Sequence, residues 1–174
     1  MTAGSGNNGG RVRVAYIDDQ LLFREALVNV LEASDLITVV HSTGQHRGAI
    51  RSLRETPVAS LLIALDMQVN DPMAMLHEVR MALPELPVCA LVAVDRLERA
   101  REAIASGCRG AVSTAASLNT LIAALETISN GQAYVDSTLG GRLLARTISR
   151  SAARNNKHAS ESHFVAKAGE ISKN

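Results

Sequence analysis

The chain has no tryptophan, two phenylalanines and two tyrosines, so aromatic residues make up only 2% of its 174 positions. Hydrophobic residues nevertheless reach 47% and charged residues 20%, which indicates a globular protein whose core is built from Leu, Ile, Val, Ala and Met. Such a core suits a parallel sheet that is covered by helices. The length allows one domain of ordinary size with tails.

Strong net charge and long apolar runs are also absent. The formal net charge is +1, which indicates no overall attraction to nucleic acid or to an anionic membrane. No apolar run approaches the roughly 20 residues that span a bilayer, and the first residues lack the features of a signal peptide. Neither the two cysteines, Cys89 and Cys108, nor the scattered histidines have metal-ligand spacing. We therefore expect a cytoplasmic protein without membrane contact or a zinc site.

Short apolar runs alternate along the chain with segments of helical period, which is the pattern of βαβ units. The predicted strands are Val12–Ile17, Leu36–Val40, Ser60–Leu65, Val88–Val94 and Gly110–Ser113. The predicted helices are Gln20–Ala33 with Phe23, Leu27, Val30 and Leu31 on one face, His46–Glu55, a third with Met73, Leu76 and Val79 inward, a short fourth from Leu97 that Gly107 closes, and a fifth from Leu118 that Asn130-Gly131 ends. This alternation predicts a single α/β domain with a doubly wound parallel sheet, whose site lies at the carboxyl ends of the strands.

The two ends of the chain differ from its middle. Residues 1–10 are Gly, Ser and Asn with nothing to bury, and we predict a disordered leader there. The folded domain is predicted over 11–135, a C-terminal linker helix over 136–148 and a disordered polar tail over 149–174. The tail is mildly basic but has no apolar spacing that would fold a DNA-reading helix, so nucleic-acid binding by this chain alone is not expected.

Two aspartates, Asp18 and Asp19, follow the first predicted strand directly. Two like charges at the active edge of a doubly wound sheet favour a hard cation such as Mg²⁺. The alternative is that the pair only opens the helix that starts at Gln20, one as its N-cap and one favoured by the helix dipole. The pair alone leaves both interpretations open.

The segment V-A-Y-I-D-D-Q-L-L-F-R-E-A-L, from Val14 to Leu27, resembles the start of a response-regulator receiver domain of the NarL/FixJ type. The similarity continues through the loop at Met67, the A-S-G-C-R-G turn and G-Q-A-Y-V, and ends near Leu144. The resemblance implies a flavodoxin-like (βα)5 receiver with strand order 2-1-3-4-5. We expect no cofactor other than Mg²⁺, for which Asp18 and Asp19 are the candidate ligands. It also implies a C-terminal helix-turn-helix, which this sequence lacks.

The family's phosphoacceptor aspartate ends the third strand, and here that position falls on Ala64. The match aligns Met67 with the family's Met and Asp71-Pro72 with its Asp-Gly, in the stretch A-L-D-M-Q-V-N-D-P. Asp66 is the rival acceptor if the match slides by two residues. A further alternative is that Asp66 binds a cation together with Asp18 and Asp19. The simpler interpretation is that Asp66 is a solvated loop residue.

Three further family positions are altered in this sequence. The hydroxyl that normally reads the phosphoryl group falls on Val92, the lysine on Thr114 and the aromatic switch residue on Ala111. The valine side chain cannot donate a hydrogen bond, and threonine supplies no positive charge to offset the phosphoryl charge. The resemblance therefore implies an atypical receiver whose acceptor position, Ala64, cannot take a phosphoryl group.

The function expected from this resemblance is two-component signalling by protein binding, without phosphorylation and without enzymatic activity. The implied partners are a sensor kinase, another response regulator or a second copy of the chain, because helices one, four and five are the family's usual contact faces. Two alternatives remain. One is a Mg²⁺-dependent receiver that is phosphorylated on Asp66, and the other is a DNA-binding transcriptional regulator shortened at its C-terminus.

Overall fold

The computed structural model describes residues 10–45 and 48–149, and it divides the chain into two compact units, 1–139 and 140–174. The predicted tail beyond Ser149, most of the predicted leader and the predicted helix start at His46 lie outside the described residues. The strands of the first unit are β1 Val12–Ile17, β2 Ile37–Thr43, β3 Ser60–Ala64, β4 Val88–Val92, β5 Gly110–Ser113 and β6 Tyr134–Val135. Its helices are α1 Leu21–Glu32, α2 Ala49–Glu55, α3 Pro72–Ala82, α4 Leu97–Ala105 and α5 Leu118–Ser129.

The sheet is parallel throughout and has the order β2-β1-β3-β4-β5-β6. This confirms the doubly wound fold and the predicted order of the first five strands. The sixth strand, Tyr134–Val135, was not predicted, because two residues are too short to show a strand period. It pairs with Gly110 and Ala111 at the edge of the sheet.

Apolar side chains fill both faces of the sheet, as the continuous apolar character of the strands predicts. On one face the buried core includes Ala15, Ile17, Ile63 and Val92, which pack with residues of α2, α3 and α4. On the other face Val14, Tyr16, Leu62 and Val112 pack with residues of α1 and α5. Successive residues of β1 from Val14 to Ile17, and of β4, therefore serve opposite cores, as a period of two requires.

Helix α1 departs from the predicted packing. Leu31 is its one buried residue, while Phe23 is 41% and Val30 is 46% exposed, although both were predicted to face the core. The two side chains line an open groove beside the start of α5 instead. A helical period identifies an apolar face, but it does not tell whether a core or an open groove lies beneath that face.

The second unit is described only at residues 140–149, which are helical. In the first unit, residues 137–139 are also helical and Leu139 is fully buried. The Asp136 carboxylate accepts hydrogen bonds from the backbone N–H groups of Ser113 (2.5 Å), Thr138 (2.8 Å) and Leu139 (3.1 Å). No helix within the described ranges is both long and apolar enough to cross a membrane.

Candidate functional site

The residues singled out from the sequence converge on the carboxyl edge of the sheet. Asp18 and Asp19 follow β1, Ala64 ends β3, Val92 ends β4 and Thr114 follows β5. Strand order reverses at β1, which lies between β2 and β3, so this edge is the switch point where doubly wound sheets bind their ligands. The topology alone brings the five positions to one edge.

Asp18 is fully buried and its carboxylate is bound by the chain itself. The hydroxyl of Tyr16 donates to Oδ2 at 2.7 Å, and the backbone N–H of Gln20 donates to Oδ1 at 2.9 Å. The Arg24 guanidinium donates to the backbone carbonyl of Asp18. Burial raises the pKa of the Tyr16 hydroxyl, and the neighbouring Asp18 raises it further, so the hydroxyl stays protonated as a donor.

Asp19 is held by the loop between β3 and α3. Its Oδ1 accepts from the backbone N–H of Gln68 at 2.9 Å, and its Oδ2 accepts from Val69 at 2.6 Å and Asn70 at 3.1 Å. The amide of Asn70 also bonds the carbonyl of Gly44, at 3.1 Å. Burial raises the pKa of Asp19, but the hydrogen bonds from these three N–H groups outweigh it and the pKa lies below its usual value.

The loop after β2 passes close to the aspartate pair at Gly44. A Cβ at this position would lie 3.1 Å from the carbonyl oxygen of Asp18 and 3.2 Å from the Cα of Asp19. Both neighbours are backbone atoms, so glycine is what allows this close approach. The loop after β2 and the loop after β3 thus both contact the aspartate pair, while Asp19 stays partly exposed.

Asp66 contacts the far side of the edge, where β4 leads into α4. Its Oδ2 accepts from the backbone N–H of Ala93 at 2.5 Å, and its Oδ1 lies 4.0 Å from Nη1 of Arg99. The same guanidinium donates to the backbone carbonyl of Leu65. The side chain of Asp66 is 21% exposed, so this carboxylate is a partly buried bridge between two loops.

The fit of a divalent cation to the aspartate pair follows from these contacts. Within residues 10–45 and 48–149, no three His, Cys, Asp or Glu side chains stand together in a way that could hold a metal ion. All four side-chain oxygens of Asp18 and Asp19 already face N–H or O–H donors of the chain. Neither aspartate is the N-cap of α1, which is Gln20. Among the described residues, Mg²⁺ would therefore find only these two aspartates as carboxylate ligands, and their oxygens already accept hydrogen bonds from the chain.

The remaining predicted positions offer no polar group to the edge, apart from one threonine. Val92 and Ala111 are fully buried in the core on the side of α3 and α4. Thr114 is exposed, and its backbone N–H bonds the carbonyl of Val92 at 3.0 Å. The Thr114 side chain lines the apolar groove of about 250 Å³ that Phe23 and Val30 also line.

Sequence reasoning missed the donors that bind the carboxylates, namely Tyr16, Arg99 and the backbone of 68–70. A tyrosine two residues before a buried aspartate was the one available signal, because a buried hydroxyl needs a partner and residues i and i+2 of a strand share a face. The loop amides and Arg99 carry no such signal. Their contacts depend on loop conformation and on the direction of a long side chain.

Comparison with known proteins agrees with the fold. The family model of the response regulator receiver domain matches residues 14–126. A curated relative, the uncharacterized transcriptional regulatory protein YxjL of Bacillus subtilis, is 25% identical over 154 residues, which cover 88% of this chain and 69% of that protein.

Solved structures share the fold at lower identity. A LuxR-family two-component response regulator from an Aurantimonas species has a TM-score of 0.73 and 18% identity, with 80% of this chain and 99% of that chain covered. The signal receiver domain of the putative response regulator NarL from Mycobacterium tuberculosis has a TM-score of 0.63 and 23% identity, with coverage of 71% and 99%. Since the family model covers more than half of the sequence, the chain belongs to the response regulator receiver domain family, the signalling domains of two-component systems.

Proposed function

We propose that this chain is an atypical receiver that signals by binding a protein partner and is not phosphorylated. The observation that carries the proposal is the residue at the end of β3. Ala64 is the last residue of β3, is 4% exposed, and pairs with Leu91 of β4. A methyl group has no lone pair with which to accept a phosphoryl group.

The aspartate pair supports the same conclusion. A cation at the pair competes with the donors that already hold it, and taking these oxygens over displaces the Tyr16 hydroxyl and Gln20 N–H from Asp18, or the three loop amides from Asp19. Each displacement leaves donors without an acceptor, and for the fully buried Tyr16 hydroxyl that costs about 1–3 kcal/mol. The chain therefore works without Mg²⁺ in this proposal.

Asp66 is poorly placed as a substitute acceptor. Its Oδ2 already accepts the Ala93 N–H, and the Arg99 guanidinium lies on the side of Oδ1. Position 92 offers a buried valine side chain where a hydroxyl would be needed to bind a phosphoryl oxygen. Position 114 offers an exposed threonine in place of a cation.

Phosphorylation is tested by incubating the full chain with acetyl phosphate and Mg²⁺ and recording its intact mass. A receiver domain with an acceptor aspartate, treated in parallel, is the control for the phosphodonor. We expect no added phosphoryl mass and no Mg²⁺ binding by calorimetry. An adduct that maps to Asp66 would establish the Mg²⁺-dependent alternative and overturn the proposal.

A partner surface is available on α1. Four of its side chains are exposed apolar groups, Leu21 at 56%, Leu22 at 82%, Phe23 at 41% and Val30 at 46%. Two of them, Phe23 and Val30, line the apolar groove beside α5. Contiguous exposed apolar side chains of this kind mark protein interaction sites. A sensor kinase, another response regulator and a second copy of the chain are the partners that we propose for this surface.

The surface is tested by co-purification and by gel filtration of the Leu22→Glu variant. Leu22 is the most exposed apolar residue of α1, and Met81, 74% exposed on α3, gives a matched control in Met81→Glu. We expect Leu22→Glu to weaken partner binding or self-association by at least about tenfold, because a charge replaces a buried anchor. Equal effects of the two substitutions would show that α1 is not the interface. Salt-dependent binding of duplex DNA by the chain would favour the DNA-binding alternative.

A further inference from the structure

We propose that the Asp66 carboxylate is a built-in anion that clamps α4 and the loop before it to the end of β3, and so keeps this face of the receiver in one conformation. The inference deepens the proposed function, on which it rests, because in a receiver that is not phosphorylated the Asp66 carboxylate remains available for these contacts. Asp66 supplies a carboxylate at the point where β3 and β4 end next to each other.

Two contacts of different kinds make the clamp. The backbone N–H of Ala93, in the loop after β4, donates to Oδ2 of Asp66 at 2.5 Å. Arg99, in the first turn of α4, places Nη1 4.0 Å from Oδ1 and donates to the backbone carbonyl of Leu65. The hydrogen bond from Ala93 has a charged acceptor and is therefore stronger than a neutral one. Together with the Arg99 contacts it joins the end of β3, the loop after β4 and the first turn of α4.

Apart from these contacts, α4 packs only weakly against the core, so the clamp can determine the position of the helix. Of its nine residues only Ala100 and Ala103 are buried, and alanine buries little apolar area. Leu97 and Ile104 are only partly buried against the core. The N-cap residue, Arg96, makes no capping hydrogen bond with its side chain. Polar contacts at the first turn therefore supply a large share of what fixes this helix.

The other side of Asp66 is fixed as well. The backbone carbonyl of Asp66 accepts from Nε2 of Gln20 at 3.2 Å and from Nε2 of Gln68 at 3.3 Å. Two residues further on, the loop amides bind Asp19. The segment that carries Asp66 is thus hydrogen-bonded to the residues that follow β1. Because these bonds fix its position independently of the loop at Ala93, the Asp66 carboxylate can restrain that loop.

The clamp is tested by hydrogen exchange of the full chain, without Mg²⁺ or a phosphodonor. Asp66→Ala removes the acceptor, and we expect amide exchange over residues 93–105 to become about tenfold faster while α3 and α5 are unchanged. Asp66→Asn keeps a neutral acceptor and should give a smaller increase, about threefold. The matched control is Asp95→Ala, because Asp95 is an exposed carboxylate of the same loop.

The outcomes separate this inference from the proposed function. Faster exchange confined to residues 93–105 in the Asp66 variants, and absent in Asp95→Ala, supports the clamp. Exchange equal to that of the wild type, or equally raised in Asp95→Ala, overturns the clamp and leaves the proposed function intact. If Asp66→Ala does not fold, Asp66→Asn and Arg99→Gln carry the same comparison. A phosphoryl adduct on Asp66 is read in a separate reaction and would overturn the proposed function instead.

Discussion

Replacing Tyr16 with phenylalanine tests the account of the buried aspartate. Tyr16 and Asp18 are both fully buried, and the hydroxyl lies 2.7 Å from the carboxylate oxygen. Phenylalanine keeps the ring and its packing but removes the donor. Hydrogen bonds to charged groups contribute about 1.5–3 kcal/mol, so we expect a loss of about 2 kcal/mol in the free energy of unfolding. For a domain of this size that corresponds to a fall in Tm of about 6–10 °C.

The measurement is urea unfolding followed by circular dichroism, with Tyr134→Phe as the matched control. Tyr134 is only partly buried, and its loss of a hydroxyl should change the free energy of unfolding by less than about 0.5 kcal/mol. A double-mutant cycle with Asp18→Asn isolates the coupling between the two side chains. If Tyr16→Phe is no more destabilising than Tyr134→Phe, the hydroxyl does not stabilise the aspartate and the account is wrong.

Two further predictions follow from the direction of pKa shifts. The hydrogen bonds to Asp19 keep its pKa below the usual 3.8, so the wild type's stability advantage over Asp19→Asn should be constant above that pH and shrink as the pH falls through the lowered pKa. Urea unfolding across acid pH measures this, and an advantage independent of pH would contradict it. Burial raises the pKa of the Cys89 thiol and raises that of Cys108 to about 12. We therefore expect neither thiol to react with a disulfide reagent at neutral pH until denaturant is added, and rapid reaction of the native chain would refute this.

The elements that the sequence predicted well are those with a repeating signal. Strand β1 and strand β5 have the predicted bounds, and all five predicted strands occur in the predicted order. Strand β2 runs three residues past its predicted end at Val40, because its polar continuation to Thr43 has no apolar period. Strand β6 and the exposure of Phe23 depend on contacts between distant segments, which periodicity does not encode.

The predictions for the site also divide into those with a repeating signal and those without one. Position along the chain was enough to bring Asp18, Ala64, Val92 and Thr114 to one edge, because parallel strands end together. The contacts of the carboxylates were not predictable, because they come from loop backbone and from arginine rotamers. Asp66 shows this most clearly. The sequence offered it as an acceptor, a cation ligand or a solvated residue, and the structure places its carboxylate on Ala93 and beside Arg99.

Placing an aspartate at the proposed acceptor position, by Ala64→Asp, tests whether the aspartate pair can still bind a cation once a third carboxylate is present. Ala64 is 4% exposed and belongs to the hydrophobic core, so a carboxylate introduced there would be buried among apolar side chains. We expect a loss of about 2–4 kcal/mol in the free energy of unfolding, because a buried charge without a partner is costly. If the loop amides keep Asp19, added Mg²⁺ will not recover this loss. Recovery by Mg²⁺ would show that the aspartate pair gives up its internal donors readily, and that the cation end of the pocket survives in this chain.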